Sequence, residues 1–188
     1  MDTIRACLQN EFGLSDSAFD QLSQAMVGEE RTKKSFLIEE GKINSNYYFI
    51  EKGMARFYLL NEGKQVTNWF FKEGEIAFSM AGVYYHMPAY GFIEMLEDAI
   101  LYRVPAEKLN HLFETNIELC NFSRKLYQKN LFALEYRYFR LKETSAQERY
   151  ERFCEEYPEI LNRVGLGHIA SYLGMSQVTL SRIRAQIE

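Results

Sequence analysis

Hydrophobic positions fall along this chain in three rhythms, and each predicts a different kind of element. From residue 1 to about 30, Ile4, Leu8 and Phe12 recur at helical spacing, and Phe19, Leu22 and Met26 form a second stripe behind the capping pair Ser15-Asp16. From about Lys34 to Val104 the apolar runs shorten and lie between glycine-bearing turns. Ser35 to Gly41, Tyr47 to Gly53, Ala55 to Leu60 and Val66 to Phe71 read as strands, and Asn61-Glu62-Gly63-Lys64 as a hairpin turn. Such a series predicts an antiparallel sandwich or barrel.

From Ala106 to Gln147 glycine and proline disappear. Leu109, Leu112, Phe113, Leu119, Phe122, Leu126, Ala133 and Leu141 form an apolar seam that predicts one long helix over 106–144. The seam is wide for a helix lying on one small barrel. It implies either a twin helix in a homodimer or cover from the protein's own barrel and N-terminal helices. Beyond it, Ser145 and Glu148 have capping-box spacing, Tyr157-Pro158 ends that helix, and a short helix through Ile160 to Val164 leads to Gly165 and Gly167.

The last rhythm is the most specific. Ile169, Leu173, Met175, Leu180 and Ile183 are apolar where two crossing helices bury their inner faces, and Ala170 is small where their backbones approach. Gly174 supplies the break between them, and Ser176 an N-cap for the second helix. That helix presents Gln177, Val178, Ser181 and Arg182 outward, a patch suited to base-pair edges in a major groove. Arg182 can reach guanine O6 and N7 together, Gln177 can pair with adenine, and Ser176 and Thr179 are placed for phosphate oxygens.

Composition narrows the picture. A chain of 188 residues with 47% hydrophobic and 15% aromatic content has material for one ordinary domain and a small one. No run approaches the roughly 20 apolar residues of a membrane span, and Met1-Asp2-Thr3-Ile4-Arg5 does not open a signal peptide, so a cytoplasmic protein is expected. Cys7, Cys120 and Cys154 have no Cys-x-x-Cys spacing and read as buried free thiols, without a disulfide framework or zinc site. The net charge of -4 opposes nonspecific affinity for nucleic acid, but from Ser176 onward Arg182 and Arg184 face only Glu188 and the terminal carboxylate.

A glycine-punctuated β-roll, a long helix, Ser145 to Tyr150, and then Ile169 to Gly174 through Leu180 to Arg184 occur in an order that resembles the Crp/Fnr family of bacterial transcription regulators. Tyr48 to Arg56 is similar to the roll's hairpin, and Gly74-Glu75-Ile76-Ala77 to the start of its phosphate-binding cassette. The resemblance implies an α+β chain. Its parts would be a cyclic-nucleotide-binding-like effector domain at 1–105, a dimerisation helix at 106–144 and a helix-turn-helix domain at 145–188. It also implies a homodimer on palindromic double-stranded DNA, RNA polymerase as a further partner, and no enzymatic activity.

The departures from the family matter. The corresponding stretch here, His86 to Gly91, lacks the arginine and the serine or threonine that hold a cyclic phosphate in the family, and no arginine occurs between Arg56 and Arg103. Burying an anion without a cation is costly, so no cyclic-nucleotide cofactor is expected. One N-terminal cysteine cannot hold an iron-sulfur cluster, and His86 reads as a hydrogen-bonded or surface residue, not a haem ligand. No β-wing follows the helix pair before Glu188, which predicts fewer phosphate contacts.

The segment from Phe78 to Tyr90 is aromatic and methionine-rich where the family's effector sits. Glu75, Ile76, Ala77, Phe78, Met80, Tyr84, Tyr85 and Tyr90 are therefore candidates for an apolar effector pocket, or for the filling of a barrel that lost its nucleotide. Glu94, Glu97 and Asp98 read as a solvated face. The competing functional reading is a small-molecule-binding or protein-interaction module whose helix-turn-helix no longer serves DNA.

Overall fold

In the computed structural model, which describes residues 1–187, the chain is α+β with its strands in two antiparallel sheets. Glu188, counted above among the local charges, lies outside the described residues. Helices α1 (Asp2–Phe12) and α2 (Asp16–Gln24) follow the first two stripes, and Ser15 Oγ caps α2 by accepting from the Ala18 N–H at 3.2 Å. The helical reading of the N-terminus extends too far, because Val27–Arg31 is strand β1. Its backbone groups pair with β8 (Ala99–Pro105), Val27 opposite Arg103 and Arg31 opposite Ala99, and this pairing displaces a third helical turn.

The remaining strands are β2 (Phe36–Ile38), β3 (Asn46–Lys52), β4 (Ala55–Asn61), β5 (Lys64–Phe71), β6 (Ile76–Ala77) and β7 (Phe92–Met95), with helix α3 (Met80–Tyr85) between β6 and β7. The sheets have the orders β1-β8-β3-β6 and β2-β7-β4-β5. Strand β3 shows why Tyr47 to Ile50 is apolar at every position. Tyr48 and Ile50 face Ala55, Ile93 and Met95 of the other sheet, whereas Tyr47 and Phe49 join a second core with Ile4, Leu8 and Phe19 of α1 and α2. A strand buried on both faces loses the usual alternation.

Residues 106–144 form two helices rather than one, α4 (Ala106–Thr115) and α5 (Ile117–Glu143). Neither glycine nor proline makes the break. Asn116 adopts φ -129°, and its Oδ1 accepts from the N–H groups of Glu118 and Leu119 at 2.9 and 3.2 Å, capping α5. Leu109, Leu119, Phe122 and Leu126 then enter the core that holds α1 and α2, with the rings of Phe12 and Phe122 edge to face at 5.0 Å.

The chain divides into two compact units. The first comprises residues 1–58 and 70–129, the second 59–69 and 130–188. The second therefore contains the end of α5, helices α6 (Ala146–Glu156), α7 (Pro158–Leu161), α8 (Leu166–Tyr172) and α9 (Gln177–Ile187), and the tip of the β4–β5 hairpin. At that tip Glu62 and Gly63 have φ 51° and 76°, as a tight two-residue turn requires. The expected capping box of α6 is complete, Ser145 N–H donating to Glu148 Oε2 at 2.7 Å and Glu148 N–H to Ser145 Oγ at 3.2 Å.

Inside the second unit the hairpin tip is fastened to α8 by a reciprocal pair. Thr67 N–H donates to Ser171 Oγ at 2.8 Å, and the Ser171 hydroxyl donates to the Gln65 carbonyl at 3.0 Å. Arg137 of α5 completes the tie, donating to the carbonyls of Thr67 and Tyr172 at 3.2 and 2.9 Å.

Candidate nucleic-acid interface and effector region

Helices α8 and α9 take their places because their apolar positions coincide. Ile169, Ala170, Leu173, Leu180 and Ile183 are buried, while Met175 is half-buried at the turn. Gly174 has φ 66°, and a Cβ there would also press on Leu141 at 3.0 Å. Ser176 caps α9 through the Thr179 N–H at 3.0 Å, and the two hydroxyls are bonded at 2.8 Å. Both predicted phosphate-contacting hydroxyls are thus already ordered by each other, with Ser176 at the surface and Thr179 half-buried.

Gln177, Val178, Ser181 and Arg182 are exposed, and Val178 retains 68% of its accessible surface. They occupy the side of α9 away from Leu180 and Ile183. The Gln177 side-chain oxygen Oε1 lies close to Gly167, 3.1 Å from where a Cβ would be, so a larger residue at 167 would displace that side chain.

The predicted effector residues occupy several environments. Ile76 enters the core beneath α1 and α2, Ala77 the core between the sheets, and Tyr90 meets Phe57 at 5.9 Å. Phe78 and Tyr84 close on a pair of tyrosines absent from the predicted set. Phe78 lies 4.9 Å from Tyr47 and 6.0 Å from Tyr127, and Tyr84 lies 5.7 Å from Tyr127. The hydroxyls of Tyr47 and Tyr127 are 3.0 Å apart. Burial pushes the Tyr47 phenol up to about 12 and raises that of Tyr127 as well, so both stay neutral and share the hydrogen bond. Met80, Tyr84, Tyr85 and Tyr90 are exposed.

Glu75 accepts from the Lys72 N–H at 3.3 Å, and its charged neighbours include Lys129 and Glu11, which pair with each other. Burial holds its carboxyl above the usual carboxylate range, more strongly than Lys129 lowers it. A raised native pKa gives stability that is present below the unfolded-state value and is lost as pH rises through the native one. Glu75→Gln is therefore expected to raise the melting temperature relative to the parent more at pH 7.5 than at pH 4, both in roughly 0.1 M salt. An equal shift at both pH values in thermal denaturation would remove this account of Glu75.

Two sequence readings need correction. Glu94 is no part of a solvated face, since its carboxylate accepts from Arg56 Nε and Nη2 at 3.0 and 2.7 Å, and Arg56 is only 2% exposed. The buried guanidinium requires that counter-charge. Asp98 does remain exposed, holding the Lys33 N–H at 2.7 Å. The thiols are not uniformly buried, because Cys120 on α5 is exposed while Cys7 and Cys154 are half-buried. His86 lies 3.3 Å from Ser45 Oγ through Nδ1, as the hydrogen-bonded reading expected.

Sequence reasoning also missed Arg137. Its signal was a cation standing on the apolar seam between Ala133 and Leu141, four residues from each. No group of side chains suited to hold a metal occurs among the described residues, and no helix among them is long and apolar enough to cross a membrane.

Residues 29–116 match the cyclic nucleotide-binding domain family. No curated protein matches the chain. Among solved structures, FixK2 of Bradyrhizobium japonicum superposes with a TM-score of 0.75 at 19% identity, over 86% of this chain and 84% of that one. A protein described as a Crp/Fnr-family transcriptional regulator from Eubacterium rectale gives a TM-score of 0.70 at 16% identity, covering 95% and 85% of the two chains. The catabolite activator protein of Thermus thermophilus gives 0.61 at 16%, covering 96% and 86%. The chain is thus similar to cyclic nucleotide-binding domains over residues 29–116, and its fold as a whole is that of the Crp/Fnr regulators.

Proposed function

We propose that this protein is a sequence-specific DNA-binding transcription regulator of the Crp/Fnr type that acts as a homodimer and not as an enzyme. The observation that carries the reading is the two-sided character of α9. Leu180 and Ile183 are buried against the rest of its unit, while Gln177, Val178, Ser181 and Arg182 stand free on the opposite side. A helix held in this way can enter a major groove with its first turns against the base edges. Ser176 and Thr179 then orient the helix at the phosphates, Arg182 reads guanine, and RNA polymerase is the partner through which a bound regulator acts. Such work belongs in the cytoplasm, where the DNA is.

The second copy is supported by the end of α5. Leu131, Phe132, Leu134, Tyr138 and Phe139 are all about half exposed or more, a run of large apolar groups on one stretch of helix. Leu131, Leu134, Tyr138 and Leu141 border a groove of about 660 Å³. Exposed apolar surface of this kind marks an interface, and the same face on an identical chain is its simplest cover. Functionally, 1–105 would serve as effector domain, 106–144 as the dimerising segment and 145–188 as the DNA reader.

The effector domain is degenerate in this reading. Arg56 is engaged by Glu94, and Phe78 packs against Tyr47 and Tyr127, so an uncharged effector or none suits it better than a cyclic phosphate.

Selection of random duplex DNA on the purified protein tests the proposal. Enrichment of an inverted repeat with half-sites about one helical turn apart is expected. Arg182→Ala should then lose about 1–3 kcal/mol of specific binding, with little change on unrelated DNA. Absence of any enriched repeat would favour an interaction module.

A further inference from the structure

The second unit carries a half-open cavity of about 460 Å³ whose arginines the DNA-binding reading does not use. Four arginines line it, Arg137 and Arg140 from α5 and Arg149 and Arg152 from α6, against one carboxylate, Glu156. Their hydrogen bonds go to neutral acceptors. Arg140 and Arg152 both donate to the Tyr136 hydroxyl, at 2.5 and 2.8 Å, and Arg149 to the carbonyls of Leu173 and Thr144 at 2.8 and 2.5 Å. Arg137 donates to backbone carbonyls and to Asn68 Oδ1 at 3.4 Å, but its buried Nε has no partner. Among the described residues none of the four forms an ion pair with a carboxylate.

Neutral oxygens satisfy donors without cancelling charge, so several guanidinium groups around one concave site leave a positive potential that an anion would relieve. The planar guanidinium fork suits the paired oxygens of a carboxylate or phosphate. The remaining wall is aromatic, with Trp69, Phe132, Tyr136, Phe153 and Tyr172 among the lining residues. Flat apolar walls favour a ring, and the volume falls within the roughly 300–1,000 Å³ of small-molecule pockets.

We infer that this cavity is a binding site for a small planar aromatic anion, a ring bearing a phosphate or carboxylate group, with its charge held by Arg140 and Arg152 and its ring between the aromatic walls. The site is separate from the exposed surface of α9, and its test does not depend on DNA. Within its own unit, occupancy would tie α5 to α6 through one ligand.

Trp69 is the single tryptophan of the chain and lines the cavity, so its emission reports on this site. The full-length protein is titrated with AMP and benzoate as aromatic anions, and with adenosine, benzyl alcohol and inorganic phosphate as partial probes. Saturable change with at least one aromatic anion, at a Kd below about 1 mM and at least about tenfold tighter than its neutral counterpart and inorganic phosphate, is expected. Response to AMP alone identifies a phosphate-bearing ligand, and to benzoate alone a carboxylate.

Arg140→Gln with Arg152→Gln should weaken this binding about tenfold or more while leaving far-UV circular dichroism unchanged. The single Arg152→Gln variant, altered at an exposed position, serves if the double variant does not fold. Silence toward both anions up to about 10 mM overturns the proposal. So does equal binding of the neutral probes, or undiminished binding by a folded variant.

Discussion

Replacing Leu131 and Leu134 together by glutamate is expected to leave the chain folded and to turn the proposed dimer into a monomer. Both side chains are already in solvent, 68% and 51% exposed, so charge there costs the isolated chain little. In a symmetric pair the same substitutions place four carboxylates in one apolar contact, where each must lose its water without gaining a partner. Sedimentation should show the change at micromolar concentration, with circular dichroism preserved.

The effect on DNA should be larger than that of any single base contact. A dimer holds two half-sites through one linkage, and loss of that linkage removes roughly a hundredfold or more of affinity for the inverted repeat. Affinity for an isolated half-site should hardly move. If the variant remains dimeric, the exposed end of α5 has been assigned the wrong role.

The largest effect on stability is expected from Phe122→Ala. Phe122 is 1% exposed and meets Phe12 edge to face, in the core that also receives Leu8, Phe19 and Phe49. Its removal should cost about 3–5 kcal/mol, lost transfer energy plus the cavity left behind. Urea denaturation followed by circular dichroism measures this. Trp69 fluorescence, which belongs to the second unit, separates failure of the first unit from failure of the whole chain. A loss below about 1 kcal/mol would mean that this core collapses around the gap.

Short-range signals in the sequence carried most of the fold. Ser15, Ser145 and Ser176 each cap the helix they precede, because a cap is decided within three residues. Gly174 and the apolar positions around it likewise specify the α8–α9 pair locally. The break at Asn116 was not apparent, since asparagine is tolerated in helices and its capping role appears only when its side chain turns to Glu118 and Leu119. Val27 to Arg31 was misassigned because its partner, β8, lies about 70 residues away.

The exposed face of α9 was legible for the same local reason, whereas the surroundings of the effector region were not. Phe78 and Tyr84 are aromatic in any reading, but only the fold brings them to Tyr47 and Tyr127. Glu94 looked solvated because its partner, Arg56, is on another strand of the sheet. The four arginines of the cavity give no signal in the sequence, because only the packing of α5 and α6 brings them together.

The reciprocal bonds between the hairpin tip and Ser171 have a consequence for biosynthesis. Thr67 precedes Ser171 by 104 positions, so at about 5–20 residues per second the ribosome makes the tip roughly 5–20 s before its partner exists. By the end of that interval residues 1–58 and 70–129 have all been synthesised and can close their own core, while Gln65 and Thr67 still bond to water. The tip must therefore remain open to solvent in the nascent chain without pairing elsewhere. Its polar sequence, Asn61-Glu62-Gly63-Lys64-Gln65, suits that wait.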